Sequence, residues 1–181
     1  MSDELKLREG INHTLDVMFA GKLQEAYSQE SIKICVSNVL EQCKQISRQR
    51  KYLLGHPTIQ SAIGRNFEIL GWQVKYEVPF ADFDSNYRFD IVAQKGENAI
   101  VVEVKPEVTK QDIGQIFAYV LDVKKKIPHG RVFLGIDILN LYNVFEQGEV
   151  RDMIMDISNR YGLGIILADT QNAWILPAEF I

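Results

Sequence analysis

Asp90 and Glu103 are separated by twelve residues, and Lys105 follows Glu103 by two. Carboxylates brought together are hard oxygen donors of the kind that hold Mg²⁺ or Mn²⁺, ions that take one or two protein carboxylates and complete their shell with water and phosphate oxygens. An ammonium on the same side of the strand as the second acid suits the rest of phosphate chemistry. It steadies an attacking water or the negative charge that builds on phosphorus. Gln115 and Tyr119 lie four residues apart, which stacks them on one helix face, where they can steer a strand or a nucleophile.

The acids must be delivered by strands. Two segments, about 87–94 and 99–105, flank Lys95-Gly96-Glu97-Asn98, and a glycine at the first central position suits a type II′ hairpin turn. A two-residue turn at Gly96-Glu97 sets Asp90 opposite Glu103 and Arg88 opposite Lys105. It puts Phe89, Ile91 and Ala93 on the other face, against Val104, Val102 and Ile100. Like charges facing each other across strands repel, so an Asp–Glu pair in mid-sheet calls for a cation between them.

The neighbouring elements follow from periodicity. Pro57 begins a helix whose apolar face is Ile59, Ile63, Phe67 and Leu70, stopped at Gly71. Val74, Tyr76, Val78 and Phe80 then alternate as a strand, and a polar loop covers roughly Ala81 to Asn86. Thr109 and Asp112 match a capping box for a helix over 110–126, with Ile113, Ile116, Phe117, Val120 and Val123 buried. The apolar run 132–136 reads as a central strand, and a helix over 149–161 and strands 164–168 and 173–176 complete the domain. The result is an α/β fold with a central mixed sheet flanked by helices. Residues 1–53 read as an N-terminal helical hairpin, with one stripe at Leu7, Ile11, Leu15 and Phe19 and another at Ile32, Val36, Val39, Cys43 and Ile46. Residues 54–181 form the main domain.

Composition narrows the classes further. At 181 residues, 46% hydrophobic and 24% charged, the chain can bury one core, and disorder does not describe it. No apolar run reaches the ~18–20 residues of a membrane helix, and the first residues lack signal-peptide order, so a cytoplasmic protein is expected. A net charge of −4 means that a nucleic-acid partner is held through metal or a local basic patch. The segment 42–51, with Lys44, Arg48, Arg50, Lys51 and no acid, is the candidate patch. Cys35 and Cys43 on one helix would stand ~12 Å apart along its axis, too far for a disulfide.

Asp90, twelve residues and then Glu103-Val104-Lys105 resemble the PD-(D/E)-x-K motif of the restriction-endonuclease-like nucleases. Gln115 through Tyr119 is similar to the Gln-x-x-x-Tyr motif of their RecB-like members. The resemblance implies a restriction-endonuclease-like core over 57–136 and a Mg²⁺ ion bound by Asp90, Glu103 and the Val104 carbonyl. It also implies Lys105 as the catalytic lysine and Gln115 with Tyr119 as a positioning pair. Many members carry a further Glu on the helix before the first strand. Glu68 is the one available there, and Gln60 lies nearer the expected place. Phe89 stands where the motif has Pro.

The expectation is therefore a metal-dependent nuclease acting on a nucleic acid, with DNA favoured by the resemblance. A homodimer would be needed for double-strand cleavage. The alternative is an inactive nuclease-fold protein that binds nucleic acid or serves in assembly. In the blander reading, Arg88, Asp90, Glu103 and Lys105 form a cross-strand ion-pair ladder on an exposed sheet face. Surface or capping roles are expected of His13, His56 and His129, and packing of Trp72 and Trp174; Asp137, at the end of the strand 132–136, could face the site, although strand-end acids commonly cap the next helix. Lys124-Lys125-Lys126 closes a helix whose C-terminal dipole favours cations.

Overall fold

A computed structural model of the protein describes residues 54–79 and 88–176. The N-terminal hairpin, the loop 81–86, both cysteines and the basic residues Lys44, Arg48, Arg50 and Lys51 lie outside the described residues.

Helix α1, His56–Ile69, starts with Pro57 in its first turn and buries Ile59, Ala62, Ile63 and Phe67. Its end is a Schellman closure: Gly71 sits at φ +78, its N–H donates to Glu68 at 2.9 Å, and Trp72 N–H donates to Phe67 at 3.0 Å. This reversal sends the chain into β1, Gln73–Pro79. Strands β2, Arg88–Lys95, and β3, Asn98–Val104, form the hairpin. Its turn glycine, Gly96, has φ +59, as the first central position of a type II′ turn demands. Helix α2, Lys110–Lys126, carries the capping box in full: Asp112 N–H donates to Thr109 Oγ1, and Thr109 N–H donates to Asp112 Oδ2 at 2.9 Å. Strand β4 is Gly130–Asp137. A short 3₁₀ turn, Ile138–Asn140, and helix α3, Leu141–Glu146, come next, neither expected from the periodicity. Helix α4, Gly148–Tyr161, and strands β5, Gly164–Ala168, and β6, Ala173–Leu176, complete the described elements.

Among the described residues six strands lie in sequence order in one mixed sheet. β1, β2 and β3 are antiparallel, β3, β4 and β5 parallel, and β6 antiparallel to β5. α1 covers one face through Ile59, Ile63 and Phe67 against Ile91, Val102, Val104 and Ile166. The opposite face, with Val101, Leu134, Ile136 and Ile165, packs on Ile116, Val120 and Val123 of α2 and Ile154 of α4. The central strands are covered on both sides, which explains their uninterrupted apolar sequence. Gly135 marks how closely α1 rides the sheet, since a Cβ there would come within 2.7 Å of Ile63 Cδ1. Trp72 stacks edge-on against Phe67, and Trp174 is buried, so both indoles are packing residues. Among the described residues no helix is long and apolar enough to cross a membrane.

One face assignment needs correction. Phe89 does not share the α1 face with Ile91 and Ala93: it packs in the opposite cluster, its ring edge-on to Tyr119 at 4.9 Å. Strict strand alternation therefore fails just before Asp90.

Candidate functional site

The β2–β3 register is the one the turn dictates, running from Lys95↔Asn98 to Ile91↔Val102. The backbone pairing ends there, one residue short of Asp90 and Glu103. Beyond that point the Asp90 side chain takes over, Oδ2 accepting the Val104 N–H at 2.6 Å. The hairpin thus opens where the two acids sit. Asp90 is 9% exposed and Glu103 is 3% exposed, so the exposed ion-pair ladder does not describe them.

Lys105 reaches back to Glu103, with Nζ 2.9 Å from Oε1. It also lies 3.4 Å from Asp112 Oδ1 and donates to Gln115 Oε1 at 3.4 Å. Gln115 in turn donates to the Tyr119 hydroxyl at 2.7 Å. The capped start of α2 is what sets these contacts, because Thr109 fixes Asp112 and one helical turn later Gln115 faces the same ammonium. Glu103, Lys105, Gln115 and Tyr119 therefore meet as a connected chain, with Asp90 at its far side.

The two buried carboxylates share one lysine ammonium, with His56 beside them. Burial, and then the Asp90 charge, push the Glu103 carboxyl up to about 7 against the pull of Lys105 and His56. Lys105 loses solvation by burial, yet the hydrogen bond and charge of Glu103 and then Asp112 outweigh that and raise its pKa. It stays an ammonium at neutral pH. Burial also holds the Tyr119 phenol above its ordinary range, so it remains protonated.

Glu103 Oε2 is buried with no hydrogen-bond partner. An orphaned carboxylate oxygen of this kind is costly unless something outside the protein binds it. Two buried carboxylates where the hairpin opens, beside the Val104 backbone at the end of β3, fit a hard divalent cation. Among the described residues no group of three or more His, Cys, Asp or Glu is placed to hold a metal ion. An ion held by two carboxylates would keep several water or phosphate ligands, as Mg²⁺ prefers.

Glu68 is not part of this arrangement. It is exposed in the last turn of α1, and the residues of α1 that reach Asp90 are at the other end, eight or more positions and ~12 Å of helix away. They are His56, with Nε2 3.1 Å from Asp90 Oδ1, and Gln60, which donates to the Asp90 carbonyl at 2.9 Å. His56 is thus more than a surface or capping residue. The readable signal was its spacing of four from Gln60, which puts both on one helix face. Asp137 caps the 3₁₀ turn through Leu139 N–H at 3.0 Å and also accepts Leu54 N–H at 2.8 Å, an anchoring role at the end of β4.

Fold and site define an α/β domain whose mixed sheet presents a buried acidic pair and a lysine where a hairpin opens. An XisH family protein from Nostoc punctiforme PCC 73102 has a similar fold: TM-score 0.50, 15% identity, 66% of this chain and 99% of that one. An FdxN element excision controlling factor protein from Anabaena variabilis matches with TM-score 0.48 at 18% identity, over 67% of this chain and 95% of that one. No protein-family model and no curated protein matches the sequence.

Proposed function

We propose that the chain is a metal-dependent nuclease that hydrolyses phosphodiester bonds in DNA. The observation that carries this reading is the orphaned, buried Glu103 carboxylate held between Asp90 and the Lys105 ammonium. Asp90, Glu103 and the Val104 carbonyl would hold Mg²⁺ or Mn²⁺, which when bound supplies Lewis-acid polarisation of the phosphate and lowers the pKa of water. Asp90 is fixed by Val104 N–H and His56, so its carboxylate is oriented before substrate arrives. Lys105, charged at neutral pH, orients the attacking water and offsets the charge that develops on the phosphate oxygens. Gln115, held by Tyr119, keeps the ammonium in place. The basic segment 42–51 would track the DNA backbone, and a second copy of the chain would be needed for cutting both strands.

A second reading, a nuclease fold that binds nucleic acid or assembles without turnover, is favoured by Gln60 standing near Asp90 where an acid is expected. Incubation with single-stranded, duplex and branched DNA in Mg²⁺, Mn²⁺ or EDTA separates the two. Cleavage should need the metal, vanish in Asp90→Asn and fall ~10²–10⁴-fold in Lys105→Ala. Cleavage that persists in EDTA or in folded Asp90→Asn rejects the mechanism, and binding without cleavage in every metal establishes the second reading.

A further inference from the structure

Among the described residues Glu77 is the one non-glycine with a left-handed backbone, at φ +51. It lies inside β1, not in a turn. Such a conformation is disfavoured for a residue with a Cβ and persists only where its surroundings impose it. The register passes over this position: Tyr76 pairs with Ile91 and Val78 with Phe89, so Glu77 stands across from Asp90 without joining the ladder. Tyr76 lies against Gly64 of α1. Regular alternation would send Glu77 to the opposite face, away from α1. The left-handed turn of the backbone brings its carboxylate back, and Oε1 accepts from Gln60 Nε2 at 2.9 Å.

That same nitrogen donates to the Asp90 carbonyl at 2.9 Å. An amide nitrogen has two hydrogens, and here one is given to Glu77 and the other to the backbone of Asp90. We propose that Glu77 is a positioning residue for Asp90, acting through Gln60. Glu77 fixes the amide, the amide fixes the Asp90 peptide, and the peptide sets the side chain whose Oδ2 holds Val104 N–H. The strained conformation is retained because relaxing it would withdraw the carboxylate from Gln60. The inference rests on Asp90 belonging to the nuclease site, but its structural part can be measured without any cleavage.

Two variants test it. Glu77→Gly accepts the left-handed backbone and removes the acceptor, whereas Glu77→Gln retains an acceptor oxygen at the same reach. Glu77→Gly should melt no lower than the wild type, yet its Val104 amide should exchange with deuterium at least tenfold faster. Its Mg²⁺-dependent cleavage of DNA should lose about tenfold in kcat with KM unchanged. Glu77→Gln should match the wild type in all three. An unchanged Val104 exchange rate in Glu77→Gly overturns the positioning role, as does undiminished kcat, or a Glu77→Gln protein as impaired as Glu77→Gly. A wild type that cleaves nothing while the exchange results hold refutes the nuclease reading and leaves the Glu77–Gln60–Asp90 linkage standing.

Discussion

Replacing the Glu103 carboxyl by an amide should stabilise the protein in EDTA by an amount that grows as pH rises from 4.5 to about 7. Glu103 is pushed up from 4.5 to about 7 by burial and by Asp90. Between those values the folded state holds a proton that the unfolded chain has released, so stability falls as pH rises through this window and is lowest above 7. At about 1.4 kcal/mol per pH unit the full penalty is roughly 3 kcal/mol, or about 6–12 °C in Tm for a chain of this size. Glu103→Gln preserves volume and carries no titrating group. The attraction of Lys105 for the ionised carboxylate is already contained in the value of about 7, and Lys105 is charged at both pH values, so it adds no pH dependence of its own. Thermal unfolding in EDTA should therefore show the variant gaining on the wild type by about that margin between pH 4.5 and pH 8. Saturating Mg²⁺ should close the gap at pH 8 by stabilising the wild type alone, by about 2.7 kcal/mol at a hundredfold excess over Kd. A pH-independent difference, or a variant that falls further behind at pH 8, would mean that Lys105 keeps Glu103 fully ionised. The pair would then be a structural ion pair, and the argument for a bound cation would fail.

Three smaller perturbations follow from other contacts. Thr109→Ala removes half of the α2 capping box. It should cost about 1 kcal/mol, or about 2–4 °C by calorimetry, with Lys105 function weakened because Asp112 loses its anchor. Gly135→Ala forces Ile63 and Val102 apart under α1, and a loss of about 1–3 kcal/mol in urea unfolding is expected. A stable variant would show that α1 yields easily. Charge reversal at Arg48 and Arg50 should weaken DNA binding and flatten its dependence on salt, and an unchanged slope would dismiss that segment as a phosphate-tracking surface.

Local chemistry in this chain was legible without coordinates. Thr109 and Asp112 declared the start of α2 because a cap needs only four residues in order, and Gly96-Glu97 fixed the hairpin register because a two-residue turn leaves one pairing. Those signals placed Glu103 and Lys105 on one strand and Gln115 and Tyr119 on one helix face; that the two sets belong together was implied by the resemblance to the nuclease motifs, and the structure joins them through Lys105 and Gln115. Tertiary structure decided what lies across the sheet from those elements. The α1 end that faces Asp90 is the one with His56 and Gln60, and Glu68 lies at the other end. That choice depends on how the helix is laid over β2, which apolar periodicity leaves open because the stripe runs the whole length of the helix. Phe89 leaves its alternating face for Tyr119, and Glu77 takes a left-handed backbone to reach Gln60. Both departures break the rule of period two, and they occur where long-range side-chain contacts outweigh the preference of the strand itself.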